Sequence, residues 1–268
     1  MSSYPDARSV VRALAPDEAV ILNRPHAAAR AARFFVEKFP GRSLYAVKAN
    51  PSPDLIEILW ANGITHYDVA SIAEVRLVRG LLPDAVLCFM HPVKAPGAIR
   101  EAYFDHGVRT FSLDSLEELE KIIDATRGDD GEPARDLRLC VRLRVSSEYS
   151  ELSLASKFGC DLTEAPGLLQ MCRQYADWLG VCFHVGSQAM TPFAYVQALE
   201  RTRAAIAEAS VVIDMIDVGG GFPSVYPGME PPPLEDYFAI IHRQFEALPI
   251  AYNAELWCEP GRALSAEY

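Results

Sequence analysis

This chain is short of positive charge. It holds 25 lysines and arginines against 36 acidic residues, a net charge of -11. Nucleic acids and anionic membrane surfaces are gripped by basic patches, so the balance argues against either partner. Long apolar runs are missing too. No stretch reaches the roughly 18 residues needed to span a bilayer. The N-terminus, Met1-Ser2-Ser3-Tyr4-Pro5-Asp6, lacks the charged and apolar regions of a secretory signal. Cysteine is sparse and unpaired: Cys88, Cys140, Cys160, Cys172, Cys182 and Cys258 include no CxxC, and four lie in strand-like runs. Buried thiols in a reducing cytoplasm fit this pattern better than disulfides or a metal site. There is no internal repeat, no low-complexity segment and no GxGxxG, which disfavours a dinucleotide fold.

What is present is an alternation. Half of the 268 residues are hydrophobic and 23% are charged, enough for one large domain with a sizeable core. Strand-like runs fall at 44–49, 66–70, 85–90, 108–113, 138–145, 180–186, 213–218 and 254–259. Helical patterns lie between them, near 53–62, 71–81, 95–106, 114–126, 162–178, 191–209 and 234–247. Pro53 with Asp54, Ser71 with Glu74, and Asp114 with Glu117 supply start signals for three of these helices. Eight strand–helix units predict a (β/α)8 barrel, with an open doubly wound sheet as the alternative. A further strand-like run, Ala19-Val20-Ile21-Leu22, precedes the barrel. The expected organisation is an extension over 1–18, a barrel over 19–264 and the start of a connection over 265–268.

Unusual residues gather at the C-terminal ends of these strands, where barrel chemistry collects. Lys48 closes the apolar run Leu44-Tyr45-Ala46-Val47-Lys48. A buried ammonium is costly, burial lowers its pKa, and the free amine can attack a carbonyl. The plain alternative is a lysine that reaches water from a strand end. Asp68 ends the second run, His91 follows the third, Arg142 and Arg144 lie on the fifth and His184 on the sixth. Asp217-Val218-Gly219-Gly220-Gly221 ends the seventh. Three glycines let backbone approach a ligand and point N–H groups at an anion, or simply make a turn. Glu259-Pro260-Gly261-Arg262 ends the eighth. Arg262 can bind phosphate and Glu259 can hold a proton on a ring nitrogen; the alternative is an internal ion pair. His184 reads as a core histidine or a ring-stacking partner, and Ser187 as a phosphate donor. Lys157, in Lys157-Phe158-Gly159, reads as a solvated lysine. A lysine able to form an imine, a phosphate cradle and an acid for a ring nitrogen together describe a site for pyridoxal 5′-phosphate.

The ordered motifs resemble those of the fold-type III pyridoxal-phosphate decarboxylases acting on ornithine, lysine, arginine and diaminopimelate. Tyr45-Ala46-Val47-Lys48-Ala49-Asn50 is similar to the Schiff-base lysine motif. Asp68-Val69-Ala70-Ser71, Lys157-Phe158-Gly159, His184-Val185-Gly186-Ser187-Gln188, Gly219-Gly220-Gly221-Phe222-Pro223 and Glu259-Pro260-Gly261-Arg262 follow in family order. His91-Pro92-Val93-Lys94 is closest to the ornithine/lysine branch. The resemblance implies an alanine-racemase-like barrel in which Lys48 carries the cofactor and His184 stacks on its ring. It places Glu259 at the pyridine nitrogen, Gly219, Gly220, Gly221, Gly261, Arg262 and Ser187 at the phosphate, and Asp68 beside Lys48. One strand-five arginine joins this network. An ungapped alignment to Lys157 favours Arg142 and the Leu-Arg-Val context favours Arg144.

The implied reaction is decarboxylation of a basic L-amino acid, ornithine or lysine, to a diamine and CO2 in polyamine biosynthesis, by a cytoplasmic homodimer. Diaminopimelate decarboxylase, a racemase-like enzyme or a small cofactor-homeostasis protein, and an inactive regulatory homologue are the alternatives. The family's second, β-rich domain has no counterpart before Tyr268. The chain therefore reads as truncated, binding cofactor with little turnover of its own.

Overall fold

The computed structural model describes residues 3–145, 148–152 and 157–268. The strands are Arg42–Ala46 (β1), His66–Val69 (β2), Val86–Phe89 (β3), Thr110–Leu113 (β4), Arg138–Arg142 (β5), Ser150–Leu152 (β6), Trp178–Cys182 (β7), Ser187–Ala189 (β8), Met215–Asp217 (β9) and Glu255–Cys258 (β10). The helices are Ala7–Leu14 (α1), Pro25–Lys38 (α2), Pro53–Ala61 (α3), Ile72–Leu81 (α4), Pro96–Phe104 (α5), Leu116–Ala125 (α6), Ala165–Tyr175 (α7), Phe193–Ala209 (α8), Leu234–Glu246 (α9) and Arg262–Ser265 (α10).

Eight parallel strands close into a barrel in the order β1-β2-β3-β4-β5-β7-β9-β10, and β10 pairs back onto β1 through Trp257↔Arg42 and Cys258↔Ser43. The expected (β/α)8 architecture is therefore the observed one. Strands buried on both faces read as unbroken apolar runs, which is why they were visible in the sequence. Inside the barrel Leu44, Cys88, Met90, Cys140, Cys182, Met215 and Trp257 form a plug. A larger apolar shell lies between the strands and the helices. All six cysteines are buried and free.

Local chemistry sets the helix starts. Ser71 caps α4 by accepting from Glu74 N–H at 3.3 Å, while the Glu74 carboxylate accepts from Ala70 N–H at 2.8 Å. In α6 the cap is Ser115, accepting from Glu118 N–H at 3.3 Å, one residue later than expected. The Asp114 carboxylate instead accepts from Gly159 N–H at 2.8 Å.

Three expectations need correction. Ala19–Leu22 is not a strand: Ile21 is 90% exposed and the closed barrel offers no free edge for pairing. Helices α1 and α2 occupy ground left unassigned; Pro25 at the first turn and the buried face Ala28, Ala32 and Phe35 were the available signals for α2. The run 180–186 is a strand only to Cys182. The barrel strand β7 takes Trp178–Cys182, and Ser187–Ala189 leaves to pair antiparallel with Ser150–Leu152. That departure frees His184 from the ladder.

Candidate active site

At the C-terminal mouth of the barrel a cavity of about 220 Å³ is lined by Ala46, Lys48, His184, Ser187, Gly220, Gly221, Glu259, Gly261 and Arg262, among others. Strand β1 ends at Ala46, and Lys48 sits on the 3-10 turn Val47–Ala49 that follows. The Lys48 ammonium donates to Asp68 Oδ2 at 3.0 Å, and its side chain is 50% exposed while that of Asp68 is fully buried. The amine is thus paired on one side and open on the other. The expected lowering of its pKa is reversed. The Asp68 carboxylate raises it, outweighing desolvation, and Glu259 adds to the rise. An ion partner next to the amine wins over partial burial.

Glu259 follows β10 and is buried. Burial pushes its carboxyl well above the usual range, Asp217 and Asp68 push it further, and Lys48 and Arg142 oppose them. His184 lies just past β7, where its Nδ1 accepts from Gly186 N–H at 3.0 Å. Burial holds the imidazole well below its ordinary pKa, with Arg142 and Lys48 adding to the effect, so the ring is neutral. With Nδ1 engaged, the proton lies on Nε2.

The fifth-strand arginines separate. Arg142 is the last residue of β5, its guanidinium lies 5.3 Å from the Phe158 ring centroid, and its charge acts on Glu259 and His184. Arg144 lies past the strand end and pairs with Asp161 at 2.9 Å on the exposed side. The sequence reading put both on one strand face. The regular ladder ends at Arg142, a single bridge joins Leu143 to Cys160, and the Arg144 side chain beyond it is exposed. Lys157 is exposed and lines no part of the cavity. Phe158 meets both Arg142 and His91, whose ring centroid is 5.2 Å away.

The glycine loop is shaped by close backbone approach. A Cβ on Gly219 would lie 2.0 Å from Phe183 O, and the residue has φ +67. A Cβ on Gly220 would lie 2.8 Å from Glu259 O and 2.9 Å from His184 Nε2, so it would fill the cavity wall. Phe222 pins the loop from outside, stacking on Tyr195 at 5.4 Å and meeting Phe35 edge-on at 5.5 Å. Arg262 donates to Ser187 Oγ at 3.1 Å and Tyr226 Oη at 3.0 Å, while its buried Nε has no partner among the described residues. An unfilled guanidinium donor beside a hydroxyl and a glycine wall is a donor set suited to a phosphate. Tyr226 was missed in the sequence reading; only its place after the glycine loop could have signalled it.

The family model described as pyridoxal-dependent decarboxylase, pyridoxal binding domain, matches residues 26–266. The chain belongs to this family. The lysine/ornithine decarboxylase of Selenomonas ruminantium is 32% identical over 223 residues, covering 81% of this chain and 54% of that protein. A crystal structure of an SrLDC mutant in complex with PLP superposes with TM-score 0.83 at 28% identity, over 98% of this chain and 68% of the other. The Paramecium bursaria Chlorella virus arginine decarboxylase bound to agmatine gives TM-score 0.81 at 25% identity, over 96% and 67%. The chain spans about half the length of the curated relatives it matches. The cofactor expected from the sequence is the one for which the family is named, and the lysine, acid, glycine wall and arginine fit it. No helix among the described residues is long and apolar enough to cross a membrane.

Proposed function

We propose that the whole protein is a pyridoxal-phosphate-dependent carboxy-lyase acting on a basic L-amino acid, ornithine or lysine, and that it works as a homodimer. The observation that carries the reading is the Lys48–Asp68 pair at a cavity that the buried Glu259 also lines. Lys48 would hold the cofactor's aldehyde carbon, His184 a ring face, Glu259 the ring nitrogen, and Ser187, Arg262, Gly261 and Gly219 to Gly221 the phosphate. Pyridoxal phosphate, when bound, supplies an electron sink for the pair left on the substrate Cα as CO2 departs.

The rest is done by this chain's own groups. Because Asp68 favours the ammonium, Lys48 rests protonated, and its Nζ becomes nucleophilic as a proton passes toward Asp68 Oδ2, 3.0 Å away. Asp68 Oδ1 is buried without a partner among the described residues, so the carboxylate has spare capacity to accept. An acid at the Glu259 position favours a protonated ring and full delocalisation, which supports decarboxylation over racemisation. Arginine decarboxylase and lysine/ornithine decarboxylase stand among the relatives, so substrate length is open to assay. One methylene is worth only about 1–3 kcal/mol of discrimination.

The test is an absorbance spectrum with pyridoxal phosphate, wild type beside Lys48→Ala. A visible imine band that borohydride traps on Lys48 is expected, and Lys48→Ala should lack it. A folded wild type without the band, checked by circular dichroism, would sink the reading. CO2 release from ornithine and lysine by the whole protein then assigns the substrate.

A further inference from the structure

Gln188 lies in β8 and has no part in the chemistry above. Its φ is +58, a left-handed conformation that non-glycine residues rarely take, and it is 4% exposed. Backbone strain of this kind persists only where the surroundings hold it. Here a two-way amide contact does so. Gln188 Nε2 donates to Ser224 O at 2.6 Å, and Gln188 Oε1 accepts from Ser224 N–H at 3.1 Å. One side chain thus satisfies both backbone groups of a residue in the loop after the glycine triplet.

Two residues further on, Tyr226 is fixed as well. Tyr226 N–H donates to Met229 O at 3.3 Å, and Met229 N–H donates to Tyr226 O at 2.9 Å. Pro227 and Gly228 make the turn between them. Gly228 has φ +80, the positive value that a type II turn requires at its third residue. The turn leaves the Tyr226 hydroxyl 3.0 Å from Arg262, which donates to it and also to Ser187 Oγ at 3.1 Å.

Ser187 is the chain neighbour of Gln188, so these contacts close a ring. It runs from Arg262 to Ser187, along the chain to Gln188, across to Ser224, along the loop to Tyr226 and back to Arg262. Both terminal guanidinium nitrogens are tied, and the buried Nε is left as a donor without a partner among the described residues. Each hydroxyl accepts from Arg262 and finds no acceptor for its own proton among the described residues. A flexible cation loses side-chain freedom when it grips an anion, and a guanidinium already held in place loses less.

We propose that Gln188 and Tyr226 are positioning residues that act through Arg262. They order its guanidinium before an anion arrives, and so set how strongly the site prefers a phosphorylated ligand to the same ligand without its phosphate. The inference deepens the cofactor reading and rests on it for the identity of the ligand.

The experiment uses the 268-residue chain and the variants Tyr226→Phe, Gln188→Met and Ser224→Ala. Absorbance titrations give the affinities for pyridoxal phosphate and for pyridoxal, which carries the same aldehyde and no phosphate. Melts of the cofactor-free chain in inorganic phosphate report the anion site without any imine. Tyr226→Phe should bind pyridoxal phosphate about five- to tenfold more weakly and pyridoxal within about twofold of wild type. Gln188→Met should show the same pattern. Phosphate should raise the melting temperature of both variants less than that of wild type. Ser224→Ala should match wild type throughout, because Gln188 contacts the Ser224 backbone.

An unchanged preference for pyridoxal phosphate over pyridoxal in Tyr226→Phe would overturn the proposal and leave the cofactor reading intact. So would equal losses for both ligands, the mark of a general structural effect. If Gln188→Met does not fold, Tyr226→Phe decides, since it keeps the ring and removes only the hydroxyl. If wild type forms no adduct with either ligand, the cofactor reading falls. The phosphate melts then judge the brace, which stands only if phosphate stabilises wild type more than Tyr226→Phe.

Discussion

Lys48 and Arg142 illustrate how single side chains decide what this site can do. Lys48 keeps its charge because Asp68 lies 3.0 Å away, so its reactivity depends on a partner that can take a proton, not on an apolar pocket. Asp68→Asn should therefore slow adduct formation with pyridoxal phosphate far more than it weakens phosphate-end binding, measured by stopped-flow absorbance against equilibrium titration. The Arg142 charge acts on Glu259 and His184, and Arg144 pairs with Asp161. Arg142→Ala is expected to cost about tenfold in cofactor affinity, the loss of the positive charge that acts on Glu259 and His184, whereas Arg144→Ala should change it by less than about twofold. Equal effects in an absorbance titration would reverse the assignment.

At the scale of elements, the glycine loop is held as a piece of the surrounding helices. Tyr195 of α8 donates to Gly220 O at 2.9 Å, and Tyr237 of α9 donates to Ala189 O at 2.7 Å. Both hydroxyls are buried, so each removal deletes a satisfied bond and leaves a carbonyl wanting. Tyr195→Phe should lower unfolding free energy by about 1 kcal/mol. It should weaken cofactor binding as well, because the carbonyl it holds belongs to the cavity wall. Gly80 provides a contrast. It lies within α4 and a Cβ there would meet nothing within 4 Å. Gly80→Ala should stabilise the protein by roughly 0.5–1 kcal/mol and leave cofactor binding untouched. A denaturant melt and a cofactor titration on the two variants would separate loop-holding from plain helix stability.

For the whole molecule, buried titratable groups make stability depend on pH in opposing senses. Asp217 keeps its proton up to about pH 8 in the folded state, while an unfolded aspartate releases it near 4. Its folded pKa is raised, so its contribution is fully present below the unfolded value and is lost as pH climbs toward 8. One proton corresponds to about 1.4 kcal/mol per pH unit. His66 acts the other way. Burial, then Arg42 and Arg138, lower it to about 4. Its contribution is present above about 6.5, the unfolded value, and disappears as pH falls toward 4. Wild-type minus Asp217→Asn melting temperature should therefore decline between about pH 6 and 8, and wild-type minus His66→Phe should decline from about pH 6.5 downward. Flat difference curves would place these groups in ordinary ionisation states.

Barrel and site differ in what could be read from the linear chain. Parallel strands buried on both faces leave continuous apolar runs, so eight units were legible in the chain and favoured a barrel, while the pairing of β10 with β1 is what decided closure over an open sheet. The ordered motifs named the cofactor chemistry for the same reason: a lysine, a glycine triplet and an acid–arginine pair are rare at strand ends unless something uses them. Edges and partners were not legible. Ala19–Leu22 has strand composition but no edge to join, because β1 is already paired with β10. Arg142 and Arg144 have the same chemistry two positions apart, and only the end of β5 separates a residue whose charge acts on Glu259 and His184 from one paired with Asp161. The protonation of Lys48 was misread from composition because a pKa answers to the nearest charge, and Asp68 is brought there by the β1–β2 register Ala46↔Asp68. Asp217 is an ordinary strand-end acid in the sequence. It becomes a fully buried acid, with one oxygen short of a donor among the described residues, only because β9 is paired on both sides, with β7 and with β10. Local apolar pattern thus determined the strand–helix units, and long-range pairing decided that they close and which charges meet.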